Sequence, residues 1–271
     1  VPESLTADVP ALPEPSRYRK QPVSFVRRSS RLTKSQQKAW DTKRDTYLVE
    51  VPRALAVTSV DPAWRFDAEA AFGRRAPLVV EIGSGQGEAI VAAADADPGR
   101  DHLAVEVYTP GLAQTIVRAE QCRDRQGLSN LRLLQVNAAE LLETGLPAAS
   151  VDEVWVFFPD PWHKSRHHKR RLVRPSFATL VARVLRPGGV LRLATDWAEY
   201  AGQMLDVLDA CDALVNVHGP GGVAPRYTGR VLTSFERKGQ AAGRGVTDLE
   251  YLRPAPHEST SGVGPDADGP G

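Results

Sequence analysis

Three observations predict an α/β fold with a doubly wound, mostly parallel sheet and a basic N-terminal extension. Short apolar runs alternate with helix-patterned stretches between residues 78 and 211. The first of these runs leads straight into a cluster of glycines. The chain has 271 residues, 42% of them apolar and 25% charged, enough to bury the core of one large domain. Strands buried on both faces read as continuous apolar runs, and alternation with helices makes their pairing parallel.

The elements follow in order. Leu78-Val79-Val80-Glu81-Ile82 is the first strand, and residues 88–96 the first helix of the wound core. Residues 103–107 form the second strand, and 112–126 a helix with apolar spacing at Leu112, Ile116 and Ala119. Strands follow at 131–136, 154–158 and 190–194, with a helix at 176–185 between the last two. Arg186-Pro187-Gly188-Gly189 reads as a helix stop and a turn, and 200–211 as a further helix. Ligands of such sheets sit beyond the carboxyl ends of the strands, where the strand order reverses. Residues 1–16 and 254–271 are rich in Pro, Gly and acid without periodicity and are expected to be disordered tails. Residues 17–60 form a basic arm or helix, expected to stay mobile until a partner binds, and 61–253 the main domain.

Net charge is only +1, but its distribution is uneven. Basic residues dominate 17–44 against the single acid Asp41, and 164–174 carries Lys164, Arg166, Lys169, Arg170, Arg171 and Arg174 with no acid. Either run alone is compatible with a solvated loop; together, flanking a nucleotide-binding core, they point to a polyanion. No apolar stretch approaches the roughly 20 residues that span a bilayer, and no secretory pattern opens the chain. Cys122 and Cys211 form no CxxC pair and are expected to be buried, reduced cysteines. These features place the protein in the cytoplasm, without a membrane.

Glu81-Ile82-Gly83-Ser84-Gly85-Gln86-Gly87 follows the first strand and opens a helix. Its glycines, Gly83 and Gly85 first, allow a tight turn against which a ligand can lie on bare backbone. The spacing is GxGxG and position 88 is Glu, whereas the dinucleotide fingerprint is GxGxxG. An acid ahead of the glycines suits a cationic ligand and repels a pyrophosphate. Both points favour S-adenosylmethionine over NAD. Glu106, 25 residues on, offers two acceptor oxygens to ribose hydroxyls. Asn137-Ala138 can meet an adenine edge, or serve only as a turn.

Asp160 lies between two prolines and before Trp162, in a turn that proline stiffens on both sides. Such a turn aims a carboxylate at a fixed point, as a transfer site needs. His163, His167 and His168 fit no zinc spacing, so no metal is expected. Asp196, in Ala194-Thr195-Asp196-Trp197, can cap a helix or accept from a base. Thr228 to Glu236 reads as extended. Its Thr233-Ser234-Phe235-Glu236 suits stacking on a base and reading its edge, or else a plain edge strand.

These motifs together resemble the bacterial tRNA (guanine-N7-)-methyltransferase family, class I enzymes with a Rossmann-like sheet. The resemblance runs from about residue 22 to 253. It is carried by Ser24-Phe25-Val26-Arg27-Arg28, Arg31-Leu32-Thr33-Lys34, the glycine motif, Phe158-Pro159-Asp160-Pro161-Trp162-His163-Lys164, Arg170-Arg171, the Thr195-Asp196-Trp197 segment and Thr233-Ser234-Phe235-Glu236. It implies methyl transfer from S-adenosylmethionine to N7 of guanine 46 in the tRNA variable loop. It also implies cofactor contacts at Glu81, Glu106, Asn137 and Asp160, with Asp160 near the reacting atoms. Lys164, Asp196 and Thr233 to Glu236 fall on the substrate side. One departure is Asn137, where the family often has Asp. No obligate protein partner is evident, which leaves a monomer or homodimer. The rival readings are an exocyclic-amine methyltransferase, a non-catalytic RNA-binding protein with a Rossmann-like core, and an NAD enzyme.

Overall fold

The computed structural model describes residues 31–123 and 126–255. Ser24 to Arg28, the basic residues up to position 30 and most of the C-terminal tail lie outside the described residues.

Seven strands form one sheet in the order β3-β2-β1-β4-β5-β7-β6. They are β1 (Leu78–Ile82), β2 (Asp101–Val105), β3 (Leu131–Leu134), β4 (Val151–Phe157), β5 (Leu185–Thr195), β6 (Val215–Asn216) and β7 (Thr247–Leu252). The first five strands of that spatial order pair in parallel, whereas β7 runs antiparallel to both β5 and β6. Every residue of β1 is buried, as a strand covered on both faces requires. Side chains alternate between two cores: Leu78, Val80 and Ile82 enter one, Val79 the other.

Helices α1 (Lys34–Tyr47), α3 (Glu88–Ala96) and α4 (Thr109–Ala119) cover the Val79 face. The opposite face is covered by α2 (Ala68–Phe72), the turn of α5 (Ala138–Glu140), α6 (Pro175–Val184) and α7 (Ala198–Asp209). The last helix, α8 (Ser234–Ala241), stands at the carboxyl edge of the sheet beside α3. Among the described residues no helix is long and apolar enough to cross a membrane, and no group of three His, Cys, Asp or Glu residues could hold a metal ion.

Strand β1 and helix α3 fall where the apolar pattern puts them. Strand β2 lies two residues earlier than expected, so Glu106 stands just past its end. Pro110 near the start of α4 pre-sets the helical φ, and the helix begins and ends earlier than its apolar spacing suggests. Three expectations fail. Residues 186–189 do not interrupt the chain as a free turn but lie inside β5, where the register against β4 shifts. Gly188 (φ +77°) absorbs the irregularity, so the turn becomes a bulge. From Thr33 onward the basic arm is folded and docked: Thr33 and Gln36 form a reciprocal capping box. Gln36 Nε2 also donates to Pro110 O (3.3 Å), and Tyr47 Oη to Glu120 Oε1 (2.7 Å). Finally, Cys122 and Cys211 are unpaired but only half-buried.

Candidate active site

The strand order reverses between β1 and β4, and a cleft of about 340 Å³ opens at their carboxyl ends. Its floor is the glycine turn. Gly83, Gly85 and Gly87 all adopt positive φ, which side chains resist. A Cβ on Gly87 would lie 2.5 Å from Thr115 Oγ1, and one on Gly111 2.3 Å from Gly85 O. The turn and the start of α4 are therefore packed backbone to backbone.

Two carboxylates border this floor and are prepared differently. Glu81 is buried under α3, its Oε2 without any partner. Burial, only partly offset by a hydrogen bond from the Ile90 backbone, pushes its carboxyl up to about 8, and the nearby Glu106 adds to the rise. An orphaned buried acid is costly unless a ligand supplies a donor or a cation. Glu106 accepts from the backbone N–H of Gly85 (2.9 Å), Val107 (2.7 Å) and Tyr108 (2.9 Å). Three rigid donors hold its plane in one orientation.

Asn137 and Ala138 also line the cleft. The Asn137 Oδ1 caps α5 by accepting from Ala139 N–H (2.9 Å), which leaves its amide NH2 for an adenine edge.

The opposite wall is built from Phe157, Phe158, Pro159 and Asp160. Phe158 (φ +52°) and Trp162 (φ +46°) are two of four described non-glycine residues with positive φ, and they bracket Asp160. Each such conformation costs roughly 1–2 kcal/mol. Phe158 N–H donates to Ala194 O (2.8 Å), and the Arg230 guanidinium lies over the Phe158 ring at 5.3 Å. Beyond the turn, His163 meets Trp197 with ring centroids 4.1 Å apart.

The substrate-side candidates divide. Thr233, Ser234 and Phe235 line the cleft, with Phe235 about half exposed. The segment does not continue as an extended strand: Thr233 is the N-cap of α8, its hydroxyl accepting from Glu236 N–H (3.2 Å). Lys164 is exposed outside the cleft, and Asp196 and Glu236 do not line it. Asp196 does not cap α7; its Oδ2 accepts from Arg244 (2.7 Å). Glu236 is 1% exposed and gripped by Arg226 (2.9 Å) and the buried Arg230 (3.3 Å), which also pairs with Asp248. Burial alone would raise its carboxyl pKa; the two arginines outweigh that and hold it below the ordinary value. The structure places Glu236 in an interior ion pair.

Two residues escaped sequence reasoning. Glu88, first residue of α3, accepts at Oε2 from both the Ser234 N–H (2.6 Å) and the Ser234 hydroxyl (2.8 Å), tying the glycine turn to α8. Arg171, counted above in a basic surface run, is fully buried. Nothing in a run of arginines distinguishes the one that turns inward.

A sheet with its switch-point cleft under a glycine turn, closed by an antiparallel β7, defines a class I, Rossmann-like methyltransferase. Residues 75–249 match the family model described as "Putative methyltransferase". The chain is 48% identical to the tRNA (guanine-N(7)-)-methyltransferase of Arthrobacter sp., an alignment covering 87% of this chain and 88% of that one. It is 49% identical to the Cutibacterium acnes protein of the same name, over 88% and 85% of the two chains. A 16S rRNA (adenine(1408)-N(1))-methyltransferase from Catenulisporales acidiphilia, crystallised as a variant with cosubstrate SAM, shares the fold: TM-score 0.50, 20% identity, 77% of this chain and 98% of that one. The chain belongs to the tRNA (guanine-N(7)-)-methyltransferase family.

Proposed function

We propose that this enzyme transfers a methyl group from S-adenosylmethionine to N7 of guanine 46 in the variable loop of cytoplasmic tRNA. The observation that carries the reading is the buried Glu81 carboxyl, its Oε2 without a partner, facing the same cleft as the strained Asp160 turn. A cofactor bearing an ammonium group and a ribose fits the donor set. Glu81 would hold the ammonium, Glu106 the ribose hydroxyls, Gly83 and Gly85 the backbone approach, and Asn137 and Ala138 the adenine. S-adenosylmethionine supplies there an electrophilic methyl on a sulfonium.

The remaining demands fall on the chain. Guanine N7 carries a lone pair in the ring plane, so no base must remove a proton first. Catalysis then requires in-line placement and a negative group near the charge that develops on the purine. Asp160, fixed between two prolines, meets both. Phe235 offers a face for stacking, Thr233 and Ser234 polar edges, and Lys164 a phosphate contact. Asp196 stays on the substrate side, because its pair with Arg244 is partly exposed and separable at little cost. Glu236, by contrast, supports this wall from within.

The test is incubation of the protein and S-adenosylmethionine with tRNA that lacks the modification, followed by nucleoside mass analysis and chain scission at 7-methylguanosine. A single scission at position 46 is expected. Absence of 7-methylguanosine, or methylation of an exocyclic amine, overturns the reading.

A further inference from the structure

The Pro159-Asp160-Pro161 turn is left-handed at both flanks, at Phe158 and at Trp162. Such backbone persists only where its surroundings over-determine it. The Phe158 end is pinned to β5 through Ala194 O. The other end is held by Arg171, which borders the cleft from behind with a fully buried side chain. Its Nε donates to Pro161 O (2.8 Å). Its Nη1 donates to Glu199 Oε1 (2.9 Å) and Gln203 Oε1 (2.6 Å), and its Nη2 to Glu199 Oε2 (2.6 Å). The guanidinium also lies 4.8 Å from the Tyr200 ring centroid. Glu199 and Gln203 stand four residues apart on one face of α7, so the fork grips a rigid helix. Hydrogen bonding from Arg171 holds the Glu199 carboxyl down at about 2, so the anchor stays charged at any working pH.

We propose that Arg171 is a positioning residue for methyl transfer: it clamps the carbonyl that follows Asp160 to α7 and contributes no contact to RNA. This rests on the assignment of Asp160 to the transfer step. The geometry demands arginine. A lysine ammonium is a compact point charge and cannot reach Pro161 O and both Glu199 oxygens in the plane of a fork. Losing the clamp frees the Trp162 flank, and a displacement of about 1 Å at such a site costs on the order of 100-fold in rate.

The experiment compares Arg171→Lys, Arg171→Met and Asp160→Ala in the full chain. Four quantities are read: kcat, the tRNA KM with its salt dependence, S-adenosylmethionine affinity, and the 19F spectrum of protein carrying 5-fluorotryptophan. Trp162→Phe identifies the Trp162 resonance among the five tryptophans. Arg171→Lys is expected to keep a cooperative melt and its cofactor affinity. Its kcat should fall about 100-fold, with the Trp162 resonance shifted or broadened and those of Trp40 and Trp64 unmoved. A folded Arg171→Lys protein with ordinary kcat overturns the proposal. So does a loss confined to tRNA KM with a shallower salt slope, the mark of a phosphate contact. If Arg171→Lys does not fold, Glu199→Gln loosens the same clamp from its exposed side and is read in the same way. Failure of the Asp160 assignment looks different: Asp160→Ala would turn over normally, while the Trp162 resonance would still report whether Arg171 holds the turn.

Discussion

The two ends of the cleft handle their carboxylates in opposite ways. At the β1–β2 end, Glu106 is braced by backbone N–H groups and Glu81 is left with a bare oxygen. At the β5–α8 end, Asp196 and Glu236 are each tied to arginines. A buried acid left with a bare oxygen is costly and so points to a cationic or donor-rich ligand. An acid neutralised by a buried arginine, as Glu236 is by Arg230, points to architecture. The difference sets Glu81, a ligand contact in the proposed function, apart from Glu236 in the wall.

The sharpest way to break this contrast is Glu236→Gln. With its partners at Arg230 and Arg226 left under-compensated, the folded state should lose about 3–5 kcal/mol in denaturant unfolding, as for other broken buried pairs. If stability is unchanged and only turnover falls, Glu236 reads the base after all, and the architectural assignment fails. Asp160→Ala should show the opposite profile. Unfolding stays close to that of the parent protein while single-turnover methylation drops about 100- to 1,000-fold, the scale of removing one preorganised electrostatic group.

Glu81 tests the ligand-facing end by pH. Its folded pKa, about 8, lies above the ordinary carboxyl value, so the ligand-free protein binds this proton at pH 7. The contribution of protonated Glu81 to stability is therefore complete at acid pH and is lost as pH rises through about 8. A cationic cofactor favours the carboxylate, so binding at pH 7 should release about one proton. Calorimetry in buffers of different ionisation enthalpy measures that release. Glu81→Gln should abolish it and weaken the cofactor about 10- to 100-fold, a cost of roughly 1.5–3 kcal/mol for a charged hydrogen bond. Proton release that persists in Glu81→Gln would assign the titration to another group.

Much of the fold was legible in the sequence, and the part that was not has a physical reason. The parallel strands announce themselves because burial on both faces leaves an uninterrupted apolar run, as in Leu78 to Ile82. Strand β7 hides, because its buried Asp248 and its Glu250 are neutralised by Arg230 and Arg192, whose proximity only the fold creates. The carboxylates Asp196 and Glu236 looked available for the same reason: their partners are distant in the chain or ambiguous in role. Helix α8 could have been found. Thr233 and Glu236 have the spacing of a capping box, and the same signal at Thr33 and Gln36 opens α1.

Glu88 belongs to neither end and joins them, which makes it the finest probe of the contrast. Its charged oxygen takes two bonds from Ser234, yet it stands directly after the glycine turn and borders the cleft. Glu88 also pairs with Arg118 of α4 (3.2 Å); if the two ends are built independently, Glu88→Ala should loosen that pair and the start of α8 without disturbing the glycine turn. The expected result is a rise of about 10-fold in tRNA KM, on the scale of one charge-assisted hydrogen bond, with cofactor affinity changed less than about two-fold. Ser234→Ala removes the hydroxyl but leaves the backbone donor, so its effect should be smaller, and the double variant should be no worse than Glu88→Ala alone. Additive losses would mean that Ser234 acts on the substrate by itself. Weakened cofactor binding in Glu88→Ala would mean that the glycine turn depends on α8, and that the cleft is one cooperative unit instead of two abutting halves.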